Sequence, residues 1–487
     1  MTIRGLNRSA LICAGLVLMA GSAMGAGTNG GQQGSPQGAK HAVPADEIDT
    51  FSPDANTWKA EWRANRDAAL EANRNLPYDP YSLIVKFSEK AAADDQQTLI
   101  KLVGGDVIQS WPEFLPGTVH ITTDLPVEEA IKMMQEIGGE MGAVEYAEPD
   151  HFYSLGATPN DTYYSLLWGM NNTGQTVGGD PGSANNDIDA DLAWNLTTGN
   201  ASFAVGMADS GIRSSHQDFA GNIWANPGEV AGDRVDNDGN GRVDDTWGWD
   251  FWNNDNNPTD DNGHGTHTAG TVGARGNNGV GVTGVAWTVK LAGLKIGSRT
   301  GSVSTTAAAS AIDYCRVKGI KVSNHSWGGP GFSTTLSNAI SAARTAGHLI
   351  IAASGNGGSD GIGDNNDSTP QYPAGYNFDN VISVMAIDNN GARASFANYG
   401  ATSVDLAAPG VTIASCYNSS NSSYVYLNGT SMATPHVTGV AALVWSRYPS
   451  WTYLDVRNRL LSTTRANSAL SGRCVTGGVV NANNAVQ

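Results

Sequence analysis

Short apolar runs and helix-spaced stretches alternate along two separate parts of the chain. In the first part, Ser82-Leu83-Ile84-Val85-Lys86-Phe87 reads as a strand. Residues 89–103 read as a helix with Leu99, Ile100 and Val103 on its apolar side. Thr118-Val119-His120-Ile121-Thr122 is a second strand, Pro126 opens a helix to about Ile137, and residues 143–147 close the unit as a strand. Strand–helix–strand–helix–strand over so short a stretch describes a small α+β domain.

The second part begins near Gly156 and is far longer. Strands are expected at 204–208, 320–324, 348–353 and 381–386, and helices at 304–315, 336–346 and 434–445. Such alternation predicts a three-layer α/β domain: a mainly parallel sheet with helices on both faces. No internal repeat is visible.

Ahead of both parts the pattern is different. Arg4 and Arg8 precede an apolar run, Ala10 to Ala20, and then small residues around Gly25 and Ala26. This is the layout of a secretory signal, and the run is shorter than the ~18 residues of a membrane span. The Gly-, Gln- and Ser-rich residues 27–38 read as a linker. The expected organisation is therefore signal 1–25, linker and N-terminal pro-segment 26–77, small domain 78–154 and large domain 155–487.

Composition narrows the function. Charged residues are 15% of the 487, with 60 glycines, which suits a folded, loop-rich protein. A net charge of −18 argues against a basic nucleic-acid-binding face and supplies carboxylates for hard cations. Cys13 falls in the signal, leaving Cys315, Cys416 and Cys474. In an oxidising compartment one disulfide and one free thiol is the simplest outcome, with the pairing open.

Three motifs carry chemistry: Asp209-Ser210-Gly211 after a strand, Asn262-Gly263-His264-Gly265-Thr266-His267 at a helix start, and Asn428-Gly429-Thr430-Ser431-Met432-Ala433-Thr434-Pro435-His436 at another. Singly, each has a plain reading as a turn or helix cap. His264 and His267 are spaced i, i+3 without the glutamate of a zinc-peptidase helix, and residues 429–433 are not Gly-x-Ser-x-Gly. Together and in order, the motifs resemble the signatures of the subtilisin family of serine peptidases, from about Thr158 to the C-terminus. The small domain, ending Val144-Glu145-Tyr146-Ala147-Glu148-Pro149, resembles that family's inhibitory propeptide, a ferredoxin-like unit.

The resemblance implies a secreted serine endopeptidase acting on proteins or peptides. Ser431 would be the nucleophile, His264 the general base and acid, and Asp209 the orienting carboxylate. Asn356, within Ala352-Ala353-Ser354-Gly355-Asn356-Gly357, would serve the oxyanion hole. Gly301-Ser302 and Ser326-Trp327-Gly328 would pair with extended substrate. His267 is expected to be structural. The chain departs from the family at Ala208, at His216-Gln217-Asp218-Phe219 and at Val303; Gln371 falls near the base of the first pocket. The propeptide would act as chaperone and inhibitor, removed by self-cleavage between Phe152 and Pro159. The mature protein is expected to be a monomer without nucleic-acid or membrane partners.

Calcium is the expected cofactor, at one or two structural sites. Asp236, Asp238 and Asn240 hold positions one, three and five of an EF-hand-like loop, with Gly241 at six and Val243 at eight. Trp247 stands where the bidentate glutamate belongs, so Asp244 or Asp245 would substitute. The second set, Asp161, Asp218 and Asn278, is implied by the resemblance of residues 276–282 to the family's calcium loop. Two competing functions remain: a non-catalytic binding module on the same fold, opposed by the complete triad, and an acid-active carboxyl peptidase, opposed by His264.

Overall fold

Leu83, Val85 and Phe87 alternate inward along the first strand of the smaller unit, where they meet Leu99, Ile121 and Met134 in one apolar core. The computed structural model describes residues 78–151 and 157–487, which form two compact units. The expected signal and linker lie outside the described residues, as do residues 152–156 of the expected cleavage interval.

The smaller unit runs β1 (Tyr78–Phe87), α1 (Ala93–Leu102), β2 (Val107–Ser110), β3 (Thr118–Thr122), α2 (Val127–Glu140) and β4 (Val144–His151). Its sheet order is β2-β3-β1-β4 with antiparallel pairings, the ferredoxin-like arrangement. Strand β2 was not expected: it is four residues long, and its register on β3 shifts between Val107 and Gln109. Glu128 and Glu129 sit in the first turn of α2, where they favour the helix dipole.

The larger unit is built on a nine-stranded sheet. Its strands are β5 (Gly199–Asp209), β6 (Gly248–Asp250), β7 (Thr288–Lys295), β8 (Val322–His325), β9 (Leu349–Ala353), β10 (Val381–Ile387), β11 (Leu406–Pro409), β14 (Arg465–Ala466) and β15 (Gly478–Val479). They lie in the order β14-β15-β11-β10-β9-β8-β5-β7-β6. All pairings are parallel except β14 with β15. A separate hairpin joins β12 (Ile413–Tyr417) and β13 (Ser423–Leu427).

Helices cover both faces. Alternation on β5 sends Val205 and Met207 to one core and Ala204 and Ala208 to the other. The first core is filled by α3 (His264–Gly273) and α6 (Thr430–Arg447), the second by α4 (Thr305–Val317) and α5 (Thr334–Thr345). Helix α6 is buried on nearly every side, which explains its continuous apolar sequence. The chain leaves β5 for β6 and β7 on one side, then crosses to β8 on the other. That reversal opens a crevice at the carboxyl end of β5, where Asp209 is the last strand residue.

The expected disulfide is not formed; Cys315, Cys416 and Cys474 are free and buried. Cys315 belongs to the core under α4 and α5, whereas Cys416 and Cys474 belong to the opposite core. Cys416 packs against Gly270 of α3, and Cys474 lies beside Thr476. Among the described residues no helix is long and apolar enough to cross a membrane.

Candidate active site

Asp209 ends β5 and is 4% exposed. Its Oδ1 lies 2.7 Å from His264 Nδ1 and accepts the Ser210 N–H, while Oδ2 accepts the Thr268 hydroxyl. These contacts aim the carboxylate at one imidazole nitrogen and so set the tautomer, with Nδ1 protonated and Nε2 free to accept. His264 opens α3 and keeps 30% of its side chain exposed. Burial alone pulls its pKa down, but the charge and hydrogen bond of Asp209, with Asp260 behind them, push it above the ordinary imidazole value.

Asp260 organises this corner. Its Oδ1 accepts from the Ser210 hydroxyl and the N–H groups of Asn262 and Gly263, and its Oδ2 from the N–H and hydroxyl of Thr266. The buried Lys295 ammonium donates to Ser210 O and Asp261 Oδ1, tying the same two loops. The loops meet backbone to backbone, because a Cβ on Gly265 would sit 2.1 Å from Gly211 O. The sequence reading missed Asp260 and Lys295; an acidic residue just ahead of a helix start was the available signal.

Ser431 lies one residue inside α6. Its hydroxyl donates to Ser326 O at 2.9 Å, and the Ser326 hydroxyl donates back to Ser431 O at 2.8 Å. Asn356 is oriented by Thr430, whose N–H donates to Asn356 Oδ1 at 2.8 Å. The amide's other end, Nδ2, is therefore the free donor. An ideal Cβ built on Gly429 would lie 3.6 Å from Asn356 Nδ2 and 3.5 Å from Ser431 N. Two donors thus converge beside the serine, as stabilisation of an oxyanion requires. Asn398 braces the Asn356 loop by accepting from Gly357 N and Asp364 N and donating to Asn366, which in turn donates to Ser354 O.

The expected substrate segments flank these groups. Gly301 and Ser302 are exposed in a turn held by Asn262 Nδ2 donating to Arg299 O, next to His264. Ser326, Trp327 and Gly328 continue from β8, and Gly329 pairs with Tyr372. Gln371 packs its Cγ 3.2 Å from the Cβ position of Gly355. His267 is fully buried and contacts the carbonyls of Ile413 and Val425, which gives it a structural place.

The two acidic sets differ in their fit to a hard cation. Asp161 Oδ2 accepts Asn277 N, while its Oδ1 is buried without a partner. Asp218 accepts from Asn278 Nδ2 and Val282 N. Burial, and for Asp161 also the charge of Asp218, raises both carboxyl pKa values. A buried carboxylate oxygen beside a second carboxylate fits a cation.

In the second loop the structure gathers Glu229, Asp238 and Asp245, within 4.8 Å of one another. Glu229 was missed because it precedes the motif. The Asp236 oxygens accept Asn240 N and Gly241 N from their own loop, and Asp244 accepts Gly232 N and Arg234 N. Asn240 Nδ2 donates to Asp245, leaving its buried Oδ1 unpartnered. The Lys318 ammonium already contacts Asp238 and lies 3.4 Å from Asp245, so a positive charge is present here without a metal.

A parallel α/β crevice carrying this aspartate–histidine pair, with a serine at the start of α6, the helix packed on α3, defines the serine hydrolase class. The subtilase family model matches residues 200–477, and the fervidolysin N-terminal prodomain model matches residues 64–150. A thermophilic serine proteinase of Bacillus sp. (strain AK1) is 34% identical over 366 residues, 75% of this chain and 78% of that protein. Subtilisin DY of Bacillus licheniformis is 42% identical over 263 residues, 54% of this chain and 84% of its own length. A protease of Pseudoalteromonas arctica matches in structure with a TM-score of 0.53 and 32% identity, covering 68% of this chain and 99% of that one. The chain belongs to the subtilase family: it is a subtilisin-like serine endopeptidase carrying an N-terminal prodomain.

Proposed function

We propose that Ser431 attacks the scissile carbonyl while His264 Nε2 takes its proton, forming an acyl-enzyme that water then hydrolyses as His264 returns the proton. Asp209 holds the imidazole and stabilises its protonated form. Asn356 Nδ2 and Ser431 N–H receive the oxyanion. The observation that carries this reading is the convergence of those two donors at Ser431, on a helix packed against the one that starts with His264, itself paired to a buried aspartate at 2.7 Å. In the free enzyme the Ser431 hydroxyl points to Ser326 O, so it rotates toward His264 when substrate binds. Extended substrate pairs with Gly301-Ser302 and Ser326-Trp327-Gly328. A serine-directed fluorophosphonate tests the assignment: wild type should be labelled and inactivated, and Ser431→Ala should take no label. Labelling that persists in Ser431→Ala overturns it.

We propose secretion and self-maturation as well. Residues 1–25 export the chain, 78–154 mask the catalytic domain 155–487, and self-cleavage falls between Phe152 and Pro159. The mature enzyme works outside the cell as a monomer on proteins and peptides, without nucleic-acid or membrane partners. Asp161, Asp218 and Asn278 would hold calcium, which when bound neutralises the buried carboxylates and clamps the 276–282 loop. At Asp236, Asp238, Asn240 and Asp245 calcium would have to compete with Lys318. Intact mass of wild type and Ser431→Ala tests maturation: the variant should keep its propeptide.

A further inference from the structure

Three polar side chains form a line inside the core between the sheet and helices α4 and α5. Ser323 Oγ lies 2.7 Å from His325 Nε2 and 2.7 Å from His348 Nε2, and His348 Nδ1 lies 2.6 Å from Ile320 O. All three residues are essentially inaccessible to solvent. Hydrogen-bond logic assigns every proton. Ile320 O can only accept, so His348 carries its proton on Nδ1 and its Nε2 accepts from the Ser323 hydroxyl. Ser323 Oγ must then accept from His325 Nε2–H. That leaves His325 Nδ1 a bare acceptor, and it is indeed a buried nitrogen without a partner. The direction is unique provided both rings are neutral. Burial holds them so, lowering His325 to about 3 and His348 to about 4.

The core on this face of the sheet includes Ile312, Ile340 and Ile350. Aliphatic side chains at 323, 325 and 348 would suit such a layer without the desolvation cost of polar groups. What the line adds is a fixed end to β8. The next residue is Ser326, which is held from the other face by Asn324 Nδ2 donating to its hydroxyl, with Asn324 Oδ1 accepting from Thr438 of α6. Ser326 in turn makes both hydrogen bonds to Ser431.

We infer that Ser323, by bridging His325 and His348, acts as a positioning residue for Ser431 through the Ser326 backbone. The inference rests on Ser431 being the nucleophile. Ser323 touches neither substrate nor reacting atoms; it sets the register of the carbonyl from which the Ser431 hydroxyl must depart. Error in that register changes the fraction of enzyme in line for attack, which is read in kcat and not in KM.

The test compares Ser323→Thr with Ser323→Val in the self-matured enzyme, each expressed as the full-length precursor. The two side chains share shape and strand preference and differ in the hydroxyl. The threonine variant should keep near-wild-type kcat, and the valine variant should lose about tenfold with KM nearly unchanged. Fluorophosphonate labelling of Ser431 should slow in step. Equal kcat in the two variants overturns the inference, whatever happens to thermal stability. Should the valine variant fail to fold, imidazole ¹⁵N shifts of inactive Ser431→Ala give a second test. His325 must be the Nε2–H tautomer and His348 the Nδ1–H tautomer; matching tautomers refute the relay. Absence of wild-type labelling at Ser431 would instead refute the nucleophile assignment itself.

Discussion

His264 Nδ1 sits 2.7 Å from Asp209 Oδ1, although 55 positions separate them in the chain. One residue ends a central strand and the other starts a helix packed against that same strand. Removing the charge while keeping the shape tests what the pair does. Asp209→Asn should leave folding intact and lower kcat by about 10⁴, as for other serine peptidases with this triad. Urea unfolding and steady-state kinetics on one peptide substrate check both halves.

Asn356→Ala should cost about 10²–10³ in kcat, the loss known for the equivalent donor in a subtilisin, with KM little changed. The Asn356 Oδ1 contact to Thr430 is also lost, so some decrease in stability accompanies it. Asn356→Asp, which keeps an acceptor and removes the donor, should be as slow as the alanine variant. A fast aspartate variant would exclude the oxyanion role.

The pH response has two parts of opposite origin. In the proposed mechanism His264 must be neutral to accept the serine proton, and its pKa is raised, so the acid limb of the kcat/KM profile should fall above the ordinary imidazole value. Stability responds to the other histidines. Burial depresses His267 and His325 to about 3, and His348 and His436 to about 4. The unfolded chain binds protons at these groups from about pH 6.5 downward while the folded chain does not. Each therefore removes up to about 1.4 kcal/mol per pH unit below pH 6.5, until its folded pKa is reached. Urea midpoints of Ser431→Ala should drop steadily from pH 7 to pH 4.

Chelation should shorten the thermal-inactivation half-life of wild type. In Asp161→Asn, whose buried Oδ1 loses its charge, the chelator should have little further effect. An equal chelator response in both would remove Asp161 from the calcium site.

Lys318→Met strips the positive partner from Asp238 and Asp245, the latter fully buried, and should destabilise the fold by on the order of 3 kcal/mol. If the loop retains a cation-binding geometry, added calcium should restore part of that loss in the variant and do little in wild type. Unfolding curves with and without calcium decide it.

Much of this was readable from the linear chain because it is local. The parallel layers follow from strand–helix alternation, and the three motifs keep their backbone context within a few residues. Strands β5, β8, β9 and β10 were legible as apolar runs, whereas β7 and β11, which are just as buried, were not expected, because Lys290, Gly293 and Lys295 break the run in β7 and β11 is only four residues long. The weakly patterned elements were not: β2, the edge strand β6 and the β12–β13 hairpin are short or partly exposed, so their spacing carries little signal.

By itself the sequence determined which residues stand at strand ends and helix starts, since turn glycines and apolar periodicity act over short range. It could not determine what meets across the fold. The carboxylate of Asp260 tying two loops, the Lys318 charge entering an acidic loop and the Ser323 bridge between two histidines join side chains from separate elements. The three cysteines make the same point: their number suggested a bridge, but the sheet lies between Cys315 and the other two. Only packing brings such groups together or holds them apart, because long-range contacts depend on how whole layers stack and not on local spacing.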